Sequence, residues 1–473
     1  MTRPNILLIT TDQQRWDALG ISGNPILRTP NLDALAASGM RFSRAYSTCP
    51  VCIPARRSLL SGLHPVTHGL RGYQDGLDFD PPTTLPGRLS EAGYQTQLVG
   101  KIHLHPQRKR YGFDHMVLSD SPNDRPDSPY QKQNDYPRWL REQGLNVSAN
   151  AHGLNSNGRV ARPWHLPEEF HQSAWLAREA TEFLTQTRDP SCPWFLHLSF
   201  TAPHPPLNPP QAYWDRYHGL DGLRPRIGEW APRDRSSLGR PGNDTIGPFP
   251  AGEMADAMAG YYGLIHQVDD CVCQVLDAYR EYGTARCHEP ILVVFTSDHG
   301  EMLGDHHLFR KSLPYEASSH VPFFISGINF PVQQGVSEEL VSLEDIMPTL
   351  LDLGGAAPFS SDNTLDGINL APIVRGESTS TRQTLYGECS SGFRHHFLIQ
   401  GDFKYIWYAQ THEEQLFNLR EDPWEERDLS GQADRLAPFR KALAEHLADR
   451  DDYTFESGKL TPCLNQPPKA LFG

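Results

Sequence analysis

The chain has 473 residues, 38% of them hydrophobic and 10% aromatic, so it can bury a large core and is not an intrinsically disordered protein. Its formal net charge of -14 argues against nucleic acid or an anionic membrane as a partner, because both attract a basic surface. A small anionic substrate would need a local cluster of arginine, lysine and histidine.

The apolar segment nearest the N-terminus is Ile6–Ile9, which is far too short for the apolar core of a signal peptide or for a membrane span. We therefore expect a cytoplasmic protein without a membrane partner. The 8 cysteines are too sparse for a disulfide scaffold and would stay thiols in that compartment, so a cysteine with a role is expected to act chemically. The sequence leaves the oligomeric state open.

Short apolar runs separated by helical or loop segments predict the buried parallel strands of an α/β fold. In chain order these runs are Ile6–Thr10, Thr96–Val99, Trp194–Ser199, Ile291–Thr296 and Phe323–Ile325. Helices are predicted over Thr29–Gly39, from a capping threonine and a closing glycine, and over Ser342–Leu353, although Pro348 weakens the second. The proline-rich stretches Ser119–Pro137 and Pro203–Pro250 are predicted to be long loops that wall a binding pocket.

The pattern changes in the polar segment that follows Arg375. Beyond it, Leu398–Tyr408 alternates like half-exposed strands, and a terminal helix is predicted around Leu436–Arg450. We therefore predict a catalytic α/β domain over residues 1–375 and a smaller C-terminal α+β subdomain with an antiparallel sheet over residues 376–473.

Chemically active side chains follow four of the predicted strands. In open α/β sheets, ligands bind at the carboxyl ends of the strands, so one site that draws on all four is the economical explanation. The residues are Asp12 and Gln13, Lys101 and His103, His204, and Asp298 and His299. The first and last pairs offer two carboxylates, an amide oxygen and an imidazole, which suit a divalent cation. The alternatives are helix caps for the aspartates, hydrogen-bonded histidines and solvated surface lysines.

Cys52 belongs to a Cys49–Cys52 segment with the spacing of redox and zinc motifs, but a second such motif and a thioredoxin-like context are missing. Pro54 lies close behind Cys52, and the helix-compatible run that follows ends at Gly62. This pattern predicts that Cys52 lies at a helix N-terminus, where the dipole and the free N–H groups favour an anion. The alternative is a buried, inert cysteine.

The segment Cys52–Arg56 resembles the C-x-P-x-R signature of the cysteine-type sulfatases, which belong to the alkaline phosphatase superfamily. In that family a formylglycine-generating enzyme oxidises the cysteine to formylglycine, whose hydrated aldehyde is the nucleophile. The resemblance implies a central, mostly parallel sheet flanked by helices. It covers most of the chain, because further family motifs occur in order at Pro4–Asp12, Gly100–His103, Thr201–His204, Ser297–Gly300, Lys311, Leu416–Leu419 and Asp422–Glu425.

The resemblance also implies a role for each candidate residue. The cation, calcium in the family with manganese or zinc as alternatives, would be held by Asp12, Gln13, Cys52 as formylglycine, Asp298 and His299. Arg56 and Lys101 would polarise the nucleophile, and Lys311 and His204 would bind the anionic oxygens. His204 would protonate the leaving group, and His103 would take a proton from the second hydroxyl so that inorganic sulfate is expelled.

Several positions depart from the family pattern. The combination of Gln13 with His299 resembles the pattern of the phosphonate monoester hydrolases and phosphodiesterases. Ile53 is bulkier than the residue usual at its position, Ser61 replaces threonine, and His307 stands where glycine is common. We predict a sulfatase acting on a sulfated carbohydrate or an aryl sulfate. A phosphonate monoester hydrolase or phosphodiesterase is the alternative, and a non-catalytic anion-binding protein is a third possibility. Four more residues are candidates for the pocket wall: His64, His68, Arg71 and His306.

Overall fold

The computed structural model describes residues 3–120, 133–145, 153–231, 245–283, 289–356, 365–377, 382–450, 452–456 and 459–462. The helices of these residues are α1 Pro30–Ala37, α2 Cys52–Ser61, α3 Leu85–Glu91, α4 Asp135–Glu142, α5 Gln172–Glu182, α6 Gln211–Tyr217, α7 Ala251–Gly283, α8 Glu316–Ser319, α9 Ile346–Leu353, α10 Ala371–Val374 and α11 Ala433–Leu447. The strands are β1 Asn5–Asp12, β2 Met40–Tyr46, β3 Gln95–Gly100, β4 His115–Leu118, β5 Trp194–Pro203, β6 Ile291–Ser297, β7 Phe323–Ile328, β8 Gly335–Ser342, β9 Thr384–Cys389, β10 His395–Gln400, β11 Phe403–Tyr408, β12 Glu414–Asn418, β13 Tyr453–Glu456 and β14 Lys459–Pro462.

An eight-stranded sheet in the order β4-β3-β5-β1-β6-β7-β2-β8 forms the centre of the fold. β1 lies between β5 and β6 and is parallel to both, with Ile9 opposite Leu198 on one side and Phe295 on the other. The α/β fold predicted from the apolar runs is therefore confirmed, and each of the five runs lies inside a strand.

The direction of β7 differs from the prediction. Phe323–Ile325 was expected in a parallel strand, but β7 is antiparallel to both β6 and β2. A parallel neighbour needs a connection that crosses back over the sheet. Between β6 and β7 the chain has only a 3-10 turn and the one-turn helix α8, so β7 begins at the end of the sheet where β6 stops.

Helices cover both faces of the sheet. Leu7 and Ile9 of β1 pack into the cluster that contains Trp175 of α5 and Leu276 of α7. Their neighbours along the strand face the opposite side, into a cluster that contains residues of α2, α3 and α9. Because both faces are covered, the central strands are apolar throughout, and this is why they were recognisable as runs in the sequence.

The C-terminal part contains a four-stranded antiparallel sheet in the order β12-β11-β10-β9, as predicted. One face packs toward the central sheet and its loops, with Phe397 and Ile406 in one cluster with Tyr46 and Tyr315. The other face packs against α11. The predicted domain boundary between residues 375 and 376 stays a prediction.

Two loop predictions need correction. α6 lies inside Pro203–Pro250, and α4 begins inside Ser119–Pro137, while residues 121–132 and 232–244 lie outside the described residues.

The predicted helix over Thr29–Gly39 is α1, but the Thr29 hydroxyl bonds to Asp33 and to the Gly20 N–H instead of capping the helix. The helix predicted over Ser342–Leu353 begins as a 3-10 turn and continues as α9.

Across the described ranges, every helix is either too short or too polar to cross a lipid bilayer.

Candidate active site

The four polar strand ends meet at one edge of the sheet, as the sequence predicted. Asp12 is the last residue of β1 and pairs with Pro203, the last residue of β5. Lys101 directly follows β3, and Asp298 directly follows β6. Since β1 is hydrogen-bonded to both β5 and β6, and β5 to β3, the side chains beyond these strands share one space.

Cys52 is the first residue of α2 and is 1% exposed. Val51 before it is extended, so the chain turns into the helix at the cysteine, and the helix ends at Gly62 with a left-handed φ of 68°. The sulfur lies 3.2 Å from His299 Nε2 and 3.8 Å from Asp12 Oδ1. The predicted helix N-terminus therefore brings Cys52 to the edge of the sheet where the strand ends meet.

Four buried residues form a group that fits a metal ion. Asp12, Cys52, Asp298 and His299 each offer one ligand atom, and these atoms lie within 4.8 Å of one another. His299 Nδ1 donates to the carbonyl oxygen of Gly300 at 2.9 Å, which leaves the Nε2 lone pair directed toward the group. Two carboxylates and a neutral imidazole suit a divalent cation.

Gln13, the fifth predicted ligand, lies beside this group in a left-handed conformation with φ 74°. Its backbone N–H donates to Asp298 Oδ1 at 3.1 Å. Its amide oxygen accepts a hydrogen bond from Lys311 Nζ at 2.5 Å, and its amide nitrogen bonds to Glu301. Glu301 was missed in the sequence, where it is one acidic residue among 57 Asp and Glu.

Two buried cations hold the carboxylates. Arg56 Nε donates to Asp298 at 2.9 Å and Nη1 donates to the Ser199 hydroxyl at 2.9 Å, while Lys101 forms an ion pair with Asp12. Burial by itself would raise the pKa of Asp12, but the positive charge of Lys101 and its neighbours outweighs burial and holds the pKa well below its usual range. Asp12 is therefore ionised at neutral pH.

The two predicted catalytic histidines differ in their surroundings. His204 Nδ1 donates to the carbonyl oxygen of Pro205 at 2.7 Å, and burial together with the charge of Lys311 lowers its pKa to about 3. Burial and the charge of Lys101 oppose the protonation of His103, yet its interactions with an acidic side chain and with Cys52 raise its pKa. In this structure His204 is the neutral imidazole, with its Nε2 unprotonated.

A cavity of about 420 Å³ opens above the group. Its walls include the predicted residues Cys52, Lys101, His103, His204 and Lys311. The sequence did not single out several other lining residues, among them Tyr73, Asn157, Thr245, Phe309, Arg310 and Phe393. The mixture of aromatic, polar and cationic walls suits a small anionic molecule with an organic part.

The four further wall candidates lie elsewhere, because each has another packing partner. Arg71 forms an ion pair with Asp452 at 2.6 Å, and His68 is hydrogen-bonded to Ser58 at 3.2 Å. The ring of His306 packs at a tilt against Trp230, and the ring of His64 packs against Tyr386.

The redox interpretation of the Cys49–Cys52 segment also fails, since Cys49 packs against Cys389.

The fold and the cation-lined cavity beside a metal-ligand group define an alkaline-phosphatase-like hydrolase of anionic esters. The family model for the sulfatases matches residues 4–356, and the chain belongs to that family. A second model, the C-terminal region of N-sulphoglucosamine sulphohydrolase, matches residues 304–452. The predicted enzyme class, a sulfuric ester hydrolase, is confirmed.

Individual relatives agree with this assignment. The chain is 37% identical to an arylsulfatase of Clostridium perfringens over 97% of both proteins. It is 30% identical to a choline-sulfatase of Rhizobium meliloti, with 94% of this chain and 87% of that protein covered. It also superposes on a phosphonate monoester hydrolase of Silicibacter pomeroyi with a TM-score of 0.74 at 25% identity, over 97% and 99% of the two chains.

Proposed function

We propose that the protein hydrolyses the sulfate ester of a sulfated carbohydrate or an aryl sulfate, and that it uses a formylglycine made from Cys52 and one divalent cation. The observation that carries the proposal is the position of Cys52 at the N-terminus of α2, beside Asp12, Asp298 and His299 and below an open cavity. The Clostridium perfringens relative named arylsulfatase supports the sulfate ester. Sγ of Cys52 stands for the nucleophilic oxygen in the contacts above.

The cation would be held by Asp12, Asp298 and His299, with Gln13 as the amide ligand after its oxygen leaves Lys311. When bound, a divalent ion supplies Lewis-acid polarisation of the ester oxygens and lowers the pKa of a hydroxyl group that it contacts. Calcium is the first choice because carboxylate and amide oxygens dominate the donor set. Manganese and zinc are the alternatives because of His299.

The chain's own residues supply charge and proton transfer. Arg56 holds Asp298 through Nε and the Ser199 hydroxyl of β5 through Nη1, so it fixes the ligand side of the site. Lys311 and Lys101 would offset the negative charge of the ester group with ammonium hydrogens. A bound anion would also stabilise a protonated His204, whose Nε2 could then donate its proton to the leaving oxygen.

Mass spectrometry of the peptide that contains Cys52 tests the nucleophile. Protein produced together with a formylglycine-generating enzyme should lose the thiol and gain an aldehyde at position 52. Full retention of the thiol in active protein would contradict the proposal. Dialysis against a chelator should abolish turnover, and single additions of calcium, manganese and zinc would identify the ion.

A phosphonate monoester hydrolase or phosphodiesterase activity is the second candidate, motivated by Gln13 with His299 and by the similarity to the Silicibacter pomeroyi enzyme. One preparation should be assayed with an aryl sulfate, an aryl phosphonate monoester and an aryl phosphodiester. The first proposal expects the highest kcat/KM for the sulfate. A sulfate rate that is the lowest by orders of magnitude would instead support the second candidate.

A further inference from the structure

The loop that precedes α3 carries an acidic residue, Asp75, whose carboxylate faces His103. Asp75 Oδ1 lies 3.6 Å from His103 Nε2, which is within ion-pair range and slightly longer than a hydrogen bond. The other carboxylate oxygen, Oδ2, accepts a hydrogen bond from the Tyr73 hydroxyl at 2.5 Å. The Tyr73 ring packs edge-on against the His103 ring, with 6.1 Å between their centroids.

The C-terminal part of the protein holds this loop in place. The backbone N–H of Tyr73 donates to the Ser391 hydroxyl at 2.5 Å, and the Ser390 N–H donates to the carbonyl oxygen of Arg71 at 2.6 Å. Ser391 and Tyr73 both line the cavity. Hydrogen bonds beside the cavity therefore hold the loop that carries Asp75.

The ring of His103 has a second nitrogen with different surroundings. Its Nδ1 atom is buried and makes no hydrogen bond to any atom of the described residues. His103 and Cys52 line the same cavity. The backbone of His103 is held by a bond from its N–H to Asp120 Oδ1 at 3.1 Å.

We propose that Asp75 is a positioning residue that keeps the proton of neutral His103 on Nε2 and directs the Nδ1 lone pair toward residue 52. This inference rests on the proposed function, in which His103 accepts a proton from a hydroxyl at that residue. The O–H bond breaks and the Nδ1–H bond forms, and the carboxylate stabilises the resulting imidazolium without taking the proton. Tyr73 holds Asp75 in the orientation that this requires.

The Asp75→Asn variant tests the inference. We expect kcat to fall about 10- to 100-fold while KM changes less than about threefold, because the substrate does not contact the carboxylate. Asp75→Glu should recover part of kcat. In the His103→Ala background, Asp75→Asn should cause little further loss, since a positioning residue has no effect without its partner.

The same loop offers a matched control. Asp78 forms a shorter pair with His105, with 2.8 Å between Asp78 Oδ1 and His105 Nδ1, and neither residue lines the cavity. Asp78→Asn should leave kcat within about twofold of the wild type. An equal loss of kcat in both variants would overturn the proposal, because it would show a general loop effect.

A spectroscopic measurement does not depend on turnover. Nitrogen-15 NMR of the labelled full-length chain, with the His103 signal assigned from the His103→Ala variant, should show hydrogen on Nε2 in the wild type and a mixture of tautomers in Asp75→Asn. An unchanged tautomer or an unchanged kcat would overturn the role of Asp75. Full activity of His103→Ala would show instead that the role given to His103 in the proposed function is wrong.

Discussion

Two buried clusters of charged residues in this protein differ in what surrounds them. In the active-site cluster, Asp12 pairs with Lys101, Asp298 pairs with Arg56, and the cavity of about 420 Å³ opens beside them. Lys311 at the cavity wall bonds to this core through the Gln13 side chain.

The second cluster joins the C-terminal sheet to the catalytic part. Lys404 of β11 is 0% exposed, and its Nζ lies 2.9 Å from Glu316, 3.1 Å from Ser319 and 3.2 Å from Glu425. His320 also bonds to Glu316 at 2.7 Å. These groups pair with one another across the junction between β11 and α8, so their charges stabilise the packing of the two parts.

The comparison shows that burial and charge alone do not identify an active site. Both clusters are buried, and both contain a lysine that pairs with a carboxylate. What distinguishes the first is a group of ligand atoms that lie within 4.8 Å of one another, beside the cavity of about 420 Å³. Substitution of Cys52 or Lys311 beside the first cluster should therefore reduce turnover with little loss of stability, and substitution of Lys404 in the second should have the opposite effect.

The largest effect is expected from Cys52→Ala. Removal of the nucleophile should reduce kcat at least about 10⁴-fold, because the remaining residues only bind and polarise the ester. The free energy of unfolding, measured by denaturant titration, should change by no more than about 1–2 kcal/mol. Cys271→Ala, at an equally buried cysteine in α7, should keep its turnover, and a comparable loss there would contradict the assignment.

Lys404→Met should give the reverse result. It leaves two carboxylates buried without their cation, so the free energy of unfolding should fall by about 3–5 kcal/mol. The kcat of the protein that remains folded should stay within about threefold of the wild type. An unchanged unfolding midpoint would show that the second cluster does not join the two parts as we infer.

Lys311→Met removes one cation from the cavity wall. We expect kcat/KM to fall about 10²-fold, because one group that stabilises the anionic transition state is lost. The unfolding midpoint should stay close to that of the wild type, since Lys311 is only half-buried. The comparison between the clusters fails if this variant loses stability and keeps its catalytic efficiency.

The last effect concerns pH. Burial raises the pKa of Glu425 from 4.5 to about 7, so the folded state holds this proton more tightly than the unfolded chain. The resulting stabilisation is present below pH 4.5 and is lost as pH rises to 7. Glu425→Gln should remove a decline of up to about 3 kcal/mol over this range in unfolding titrations. Parallel curves for the two proteins would contradict the shift.

The sequence predicted much of the sheet and most of the candidate site because the signals were local. Ile6–Thr10 and Ile291–Thr296 are apolar throughout, and each is followed within two residues by an aspartate. Pro54 and Gly62 likewise predicted that a helix begins at Cys52. The direction of β7 was not readable, because it depends on the path of a connecting loop and not on the strand's own residues.

Residues that act through distant partners were also missed. Asp75 lies 28 positions from His103 in a loop without periodicity, and Lys404 reads as one polar position in an alternating strand. Their significance comes from contacts with His103 and Glu316, which only folding brings near. A single sequence contains no local signal for such pairs.

By itself, then, the sequence determined the α/β class, the edge of the sheet that carries the chemistry, and the helix start at Cys52, because each depends on residues a few positions apart. Tertiary structure alone decided which charges join a group of converging ligand atoms and which only pair with one another. It did so because the surroundings of a buried ion are supplied by segments far away in the sequence: Glu316 lies 88 positions from Lys404, and Asp298 lies 242 positions from Arg56.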